Sequence, residues 1–224
     1  MEDAYSKRQR QLLQEVTRDV SETSQFLDKA RLEPATVEAL AKVPRHEFVP
    51  LELRAHAYEN RPLPIGQDQT ISQPYIVAIM TDMLRLTPES RVLEIGTGCG
   101  YQAVKLAEIA ARVVTLERVG TLADAASERL SSLGYGNISV IHADGNGGWP
   151  KEAPYDAIIV TAVAECVLEA LLAQLKAGGR MVIPLEKPSS TQLLVLLEKA
   201  CDGAITEKCH LPVAFVPLVT DIRH

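Results

Sequence analysis

Beyond residue 90 the apolar positions fall into short continuous runs, separated by stretches in which they recur every three or four residues. Runs at Arg91–Ile95, Arg112–Leu116, Ile138–Ile141, Tyr155–Val160 and Arg180–Ile183 predict strands buried on both faces. Between them, Tyr101–Ala111, Val119–Leu133 and Glu165–Leu175 carry helical spacing. Gly134 and Gly136 close the second of these helices, and Gly178-Gly179 turns the third into the next strand. Strands alternating with helices make βαβ units, hence a parallel, right-handed, doubly wound sheet. The tail changes character. Gln192–Glu198 and Val213–Val219 are apolar runs with no long helix between them, and Asp202-Gly203 supplies a turn. They predict an antiparallel pair at one edge, which brings the sheet to seven strands.

The first ninety residues are organised differently. Ala4–Lys29 reads as one long amphipathic helix, with Leu12, Leu13, Val16, Val20 and Phe26-Leu27 on its apolar side. Pro34 suits the first turn of a second helix, Ala35–Val43, which Pro44 ends. Pro44 and Pro50 bracket a short turn that contains His46, for which a surface or capping role is expected. Glu52–Asn60 is a short helix or loop. Pro62 and Pro64 deny helix to the next stretch, which leads to Gln69-Thr70-Ile71-Ser72-Gln73-Pro74. Ser72 is the expected cap of a helix Tyr75–Arg85. On residue physics alone this polar loop reads equally as an active-site lip and as an ordinary capped loop.

Composition narrows the picture. A chain of 224 residues holds one substantial core. The reading is a single domain: residues 1–60 a helical cap, 61–85 a loop and helix at the site, 86–185 the α/β core, and 186–224 the C-terminal strands. A net charge of −6 argues against a nucleic-acid partner, since phosphate binding wants a basic face. No apolar run reaches a membrane span, and the N-terminal residues are polar, without a secretory pattern. Cys99, Cys166, Cys201 and Cys209 are scattered, with no C-x-x-C pair and no His/Cys cluster. Free thiols, no metal and a cytoplasmic setting are expected, with a monomer as the default.

The chemistry gathers at Val92-Leu93-Glu94-Ile95-Gly96-Thr97-Gly98-Cys99-Gly100-Tyr101, a strand running through glycines into a helix. Open α/β sheets bind ligands at such a place. The third glycine comes one residue too early for G-x-G-x-x-G, and no Lys-Ser/Thr pair follows, so neither a dinucleotide fingerprint nor a phosphate-gripping loop fits. The E-x-G-x-G-x-G form resembles the first motif of class I S-adenosylmethionine-dependent methyltransferases, a Rossmann-like α/β class. Gly96, Thr97 and Gly98 then pass close to a methionine tail and a ribose. Glu117, about twenty residues on and at the end of the next strand, suits the ribose hydroxyls. Asp144-Gly145, after the third strand, suits an adenine amino group, though Asp-Gly is also a common turn pair. Glu94, inside a buried strand, needs partners, and is expected to accept hydrogen bonds from the glycine turn or from the ligand's amino group. Cys99 reads as a small filler of the turn.

Several further motifs together resemble the protein-L-isoaspartate O-methyltransferase family, from about Leu40 to Val219. They are Val43-Pro44-Arg45-His46-Glu47-Phe48-Val49-Pro50, Pro64-Ile65-Gly66-Gln67 with Gln69–Pro74, Asp144-Gly145 with Gly148-Trp149, Pro154–Val160, Gln174-Leu175 with Gly178-Gly179, and Phe215-Val216-Pro217-Leu218. The T-I-S-x-P loop is the specific element. The resemblance implies transfer of a methyl group from S-adenosylmethionine to the free carboxyl of isoaspartyl residues in damaged proteins or peptides, whose ester collapses to a succinimide. It implies that Ser72 holds the acceptor carboxylate and that Thr70 and Ile71 line the donor pocket. The family usually has Arg at Ala214, glycine at Glu186 and a proline-rich segment at Thr161–Cys166, all near its peptide side. Methylation of another carboxylate, such as Asp in a dedicated peptide, and donor binding without transfer are the competing expectations.

Overall fold

The computed structural model describes residues 4–218. Its centre is a seven-stranded sheet of order β5-β4-β3-β6-β7-β8-β9. The strands are β3 (Arg91–Ile95), β4 (Arg112–Glu117), β5 (Ile138–His142), β6 (Tyr155–Val160), β7 (Leu175–Glu186), β8 (Gln192–Lys199) and β9 (Ile205–Val213). The first five are mutually parallel, and β8 and β9 close one edge antiparallel. This is the expected doubly wound, Rossmann-like α/β sheet. Both faces of its central strands are apolar, as burial between two layers requires. Val92, Val113, Ala157, Ile159 and Val182 meet one core, and Leu93, Ile95, Val114, Leu116, Ile158 and Val160 meet the other.

The crossover helices are α5 (Tyr101–Ala107), α6 (Gly120–Ser132) and α7 (Glu169–Gln174). α6 is within one residue of its expected bounds at each end, and α5 and α7 are shorter than their spacing predicts by several residues. Past α5, Asn137 Nδ2 donates to the Ala107 and Ala110 carbonyls (3.0 and 3.1 Å), so the chain turns out before Ala111. Ahead of α7, Ala164 N–H bonds Pro184 O and Glu186 N–H bonds Ala164 O, drawing that stretch onto β7. The Gly178-Gly179 turn lies inside β7 as an irregularity, where the register slips from Tyr155↔Leu175 to Ala157↔Arg180.

The C-terminal pair needs a correction. Val213–Val219 is not the last strand. β9 is Ile205–Val213, and its first five residues and Pro212 are exposed. An exposed edge strand need not be apolar, so hydrophobic pattern does not reveal it. The apolar Val213–Leu218 segment instead crosses the strand ends, with Val163 N–H bonding Val216 O and Leu218 N–H bonding Val163 O. Val219 lies outside the described residues.

The N-terminal layer holds α1 (Ala4–Glu22), α2 (Ser24–Leu27) and α3 (Pro34–Lys42). The single helix expected over Ala4–Lys29 breaks at Thr23, whose hydroxyl bonds Asp19 O and Tyr75 Oη, and ends before Asp28, which is left-handed (φ 54°). Short 3₁₀ turns follow at Arg45–Phe48 and Leu51–His56. His46 is neither a surface residue nor a cap. It stacks on Tyr5 (centroids 3.9 Å apart) and its Nδ1 meets Tyr58 Oη at 2.7 Å. Lys105, fully buried on α5, gives its ammonium to the Ala39, Leu40 and Val43 carbonyls (3.0–3.4 Å). It thereby closes the C-terminus of α3 and ties the N-terminal layer to the core. Burial pushes the Lys105 pKa well below its ordinary value. No described helix is long and apolar enough to cross a membrane.

β1 (Leu63–Gly66) and β2 (Gln69–Ile71) form a hairpin whose turn residues Gln67 and Asp68 are both left-handed (φ 54° and 56°), as a tight two-residue turn demands. It leads into α4 (Pro74–Met83). Ser72 does not cap this helix. Gln73 holds the cap position without a side-chain bond, and Asn60 Oδ1 takes the Tyr75 N–H at 3.0 Å. The Ser72 side chain is left to the cleft beside it.

Candidate active site

At the carboxyl ends of β3, β4 and β6 the chain opens into a cleft lined by Thr70, Ile71, Ser72, Gly96, Thr97, Gly98, Glu117 and Gly145. Eight of the ten residues singled out from the sequence therefore converge on one place. The glycine turn is held from below by Leu116 O, which takes the Gly96 and Thr97 N–H groups (2.8 and 3.2 Å), and Thr97 Oγ1 meets Thr115 Oγ1 at 2.7 Å. Glu117 fixes it from the side. Oε2 accepts the Gly98 N–H at 2.8 Å and Oε1 the Val119 N–H at 2.9 Å. Each carboxylate oxygen has a further acceptor site. A partly occupied carboxylate in the cleft wall suits a pair of ligand hydroxyls. Gly145 is required for a different reason: a Cβ there would lie 2.2 Å from Ile95 Cγ2.

The other two residues do not line the cleft. Asp144 turns its Oδ1 to the Asn146 N–H and Nδ2, both at 3.0 Å, and so shapes the loop that presents Ala143 and Gly145. Glu94 does not make the expected bonds to the glycine turn, because Leu116 O takes the Gly96 and Thr97 N–H groups, Thr97 O that of Gly100 and Glu117 that of Gly98. Both Glu94 oxygens are fully buried and without a hydrogen-bond partner among the described residues. Burial pushes its carboxyl up to about 8. The Thr115 hydroxyl beside it offsets part of the rise, and the Glu117 charge adds to it.

The sign of the resulting pH dependence is fixed. Between its ordinary 4.5 and about 8 the folded chain keeps a proton that the unfolded chain has released. The contribution is whole below 4.5 and is lost as pH rises through 8. Glu94→Gln, which cannot ionise, is therefore expected to flatten the decline in unfolding free energy across that window by an amount on the order of a few kcal/mol. Urea titrations at pH 5 and pH 8 measure it. Equal pH dependence in both proteins would show that Glu94 is ionised when folded.

Sequence reasoning missed Gln102, Arg118, Ala143, Thr161, Ala162 and Val216–Leu218, which also line the cleft. Arg118 and Thr161 each follow the last residue of a strand, so their place on the carboxyl edge was the available signal. Cys99 is buried, its thiol pushed up by that burial, and its carbonyl is held by Arg129 Nη1 at 3.0 Å. It fills the turn.

A groove adjoins the cleft, lined by Pro62, Gln73, Ile76, Pro212, Val213, Ala214 and Phe215. Thr70, Ser72, Thr161 and Val216 line both, and so form the wall between them. Gln192 holds the far side in place, its Oε1 taking the Phe215 N–H at 2.6 Å and its Nε2 reaching Phe215 O at 3.2 Å. Ala214 and Thr161 fall in this groove, whereas Glu186 pairs with Gln192 at the end of β7, outside its lining.

Residues 21–223 match the family model described as protein-L-isoaspartate (D-aspartate) O-methyltransferase. Protein-L-isoaspartate O-methyltransferase 2 of Syntrophobacter fumaroxidans is 51% identical over 217 residues, covering 97% of this chain and 88% of that protein. Protein-L-isoaspartate O-methyltransferase 1 of Nitrosospira multiformis is 55% identical over 184 residues, 82% and 78% of the two chains. Among solved structures, a protein-L-isoaspartate O-methyltransferase matches with a TM-score of 0.80 at 27% identity, over 94% of this chain and 67% of that one. A Plasmodium falciparum chain solved in complex with S-adenosyl-L-homocysteine matches with a TM-score of 0.77 at 25% identity, over 97% and 99%. With the family model spanning nearly all of it and relatives identical at half their positions, this chain belongs to the protein-L-isoaspartate (D-aspartate) O-methyltransferase family.

Proposed function

We propose that this chain transfers the methyl group of S-adenosylmethionine to the free carboxyl of L-isoaspartyl residues in damaged proteins or peptides, giving an ester that collapses to a succinimide and so begins repair. The observation that carries the reading is the shared wall. Ser72, from the loop specific to the family, stands where the glycine-turn cleft meets the groove.

The cleft fits the donor. Gly96 and Gly98 keep its floor bare of side chains, Glu117 offers carboxylate oxygens for the ribose, and the loop at Ala143–Gly145 receives the adenine end. Bound there, S-adenosylmethionine supplies an electrophilic methyl whose leaving group is a neutral thioether. A carboxylate acceptor is already ionised at neutral pH, so no base is needed. An oxygen lone pair forms the new O–CH₃ bond as the C–S electrons return to sulfur, and no proton moves. The chain's own residues then have to align and to exclude water. Ser72 donates a hydrogen bond from its hydroxyl to the acceptor carboxylate and keeps its proton. Ile76, Val213, Phe215 and Val216 line the groove with apolar surface for the peptide. Four free thiols agree with a cytoplasmic setting.

The test is methyl transfer from labelled donor to one peptide made with isoAsp and again with Asp. The expected result is transfer to the isoAsp form alone. One observation favours the second reading, methylation of an ordinary carboxylate: among the described residues none that lines the groove is ionisable, with Ala214 where the family usually has Arg. Transfer to the Asp form alone would establish that reading instead. Donor binding without transfer to either would leave a protein that binds the donor only.

A further inference from the structure

Thr161 sits one residue past β6, on the wall shared by cleft and groove. Its backbone N–H bonds Ile95 O at 2.9 Å, continuing the ladder from β3. Its hydroxyl is placed to donate to two carbonyls at once, Ile95 O at 3.0 Å and Gly96 O at 2.7 Å. The hydroxyl lies so close to Gly96 that a Cβ on that residue would be 2.3 Å from Oγ1. Gly96 needs to be glycine, then, partly because Thr161 occupies the space beside it. Ile95 O keeps a second donor if the hydroxyl is lost. For Gly96 O, the Thr161 hydroxyl is the donor at hand.

Two consequences follow for the reaction. The first residue of the glycine turn is pinned to the end of β6, the strand whose continuation holds Val216 of the shared wall, through Val163 N–H to Val216 O, and rests on β7, through Ala164 N–H to Pro184 O. One hydroxyl thus joins the floor under the donor to the frame around the acceptor. In addition, a hydroxyl has a single proton. With that proton committed to the turn, Thr161 has none to offer a carboxylate, and its lone pairs repel one. A carboxylate entering the groove is left to Ser72.

We propose that Thr161 is a positioning residue for methyl transfer, fixing the glycine turn against the acceptor groove so that the donor methyl and the acceptor oxygen meet in line. This rests on the cleft and groove being the donor and acceptor sites proposed above. Misplacement by about an ångström costs a transfer on the order of a hundredfold.

The experiment compares Thr161→Ser, Thr161→Ala and Thr161→Val with the wild-type chain, reading kcat, the peptide KM, S-adenosylhomocysteine affinity and Tm. Ser keeps the hydroxyl, Ala removes it together with the crowding at Gly96, and Val keeps the shape alone. The expected result is a kcat at least about thirtyfold lower in Ala and Val. The peptide KM should stay within threefold, and Ser should restore kcat to within threefold of wild type. A lowered Tm with kcat intact in Ala would mean a structural role only and would overturn the proposal. So would a Ser variant as slow as Ala. The isoaspartyl reading fails separately: if the wild type methylates only the Asp peptide, the same kcat comparison on that peptide still decides the role of Thr161.

Discussion

Gly96→Ala is expected to weaken S-adenosylhomocysteine binding by at least about tenfold and to lower Tm by roughly 5–15 °C. Two costs combine at this position. Its φ of +96° is a conformation that side chains rarely adopt, which for an L-residue costs about 1–2 kcal/mol. The added Cβ would also lie 2.3 Å from Thr161 Oγ1. That oxygen cannot swing aside without giving up its bonds to Ile95 O and Gly96 O, so the contact behaves as an overpacked core, worth about 1–3 kcal/mol. The sum is a large share of the ~5–15 kcal/mol that holds an ordinary domain together. Because Gly96 lines the cleft, relaxation of the clash moves the surface on which the donor lies. Gly134→Ala is the control. It has a similar φ of +83° and nothing within 4 Å of its Cβ, so it carries the strain without the clash. It should lose about 1–2 kcal/mol of stability and bind the ligand as wild type does. Calorimetric titration and thermal unfolding of both variants decide the matter. Unchanged affinity in Gly96→Ala would mean that this turn is not the donor floor.

The contrast between these two glycines also marks what a sequence discloses. The Gly96–Gly100 turn was legible because its chemistry is local: a buried strand, glycines, then a helix, all within eleven residues. Glu117 was legible because it ends the next strand at a fixed distance. The family resemblance places Thr161 near the peptide side, but the role of its hydroxyl is not legible, since threonine after a strand is common and the bond reaches back 65 residues to Gly96. Asn60, fifteen residues away, is invisible as the partner of Tyr75 N–H for the same reason, whereas Ser72 stands at the spacing of a cap. Glu94 misled differently. Its burial follows from the apolar strand around it, but the turn's backbone donors are taken by Leu116 O, by Thr97 O and, at Gly98, by Glu117, a competition that spacing alone does not settle. At the C-terminus, apolar character pointed to the wrong segment. Val213–Leu218 is apolar because it lines the site, whereas the first half of β9, Ile205–Cys209, faces water and carries no apolar alternation.

Ser72→Ala is expected to lower kcat on the isoaspartyl peptide by roughly 10–100-fold while leaving S-adenosylhomocysteine affinity within twofold. The magnitude is that of a hydrogen bond to a charged group, about 1.5–3 kcal/mol, where each ~1.4 kcal/mol is a factor of ten. It should appear in kcat, because holding one carboxylate oxygen in line with the methyl is a demand of the transition state more than of the resting complex. The wall contains three hydroxyls, and they are not equivalent. Thr161 has its proton directed at the turn, and Thr70 is exposed. Ser72 is half-buried at the junction, where a bond to a carboxylate is least diluted by water. Thr70→Ala should therefore change kcat by no more than about threefold, and an equal loss in both variants would move the assignment from one residue to the loop as a whole. The pH profile supplies the remaining discrimination. If Ser72 acts only as a donor to an ionised acceptor, kcat in wild type and variant should fall together below about pH 4, where the acceptor itself takes up a proton. A limb near neutrality that Ser72→Ala abolished would instead mean that Ser72 belongs to a proton-transfer chain, which methylation of a carboxylate does not require.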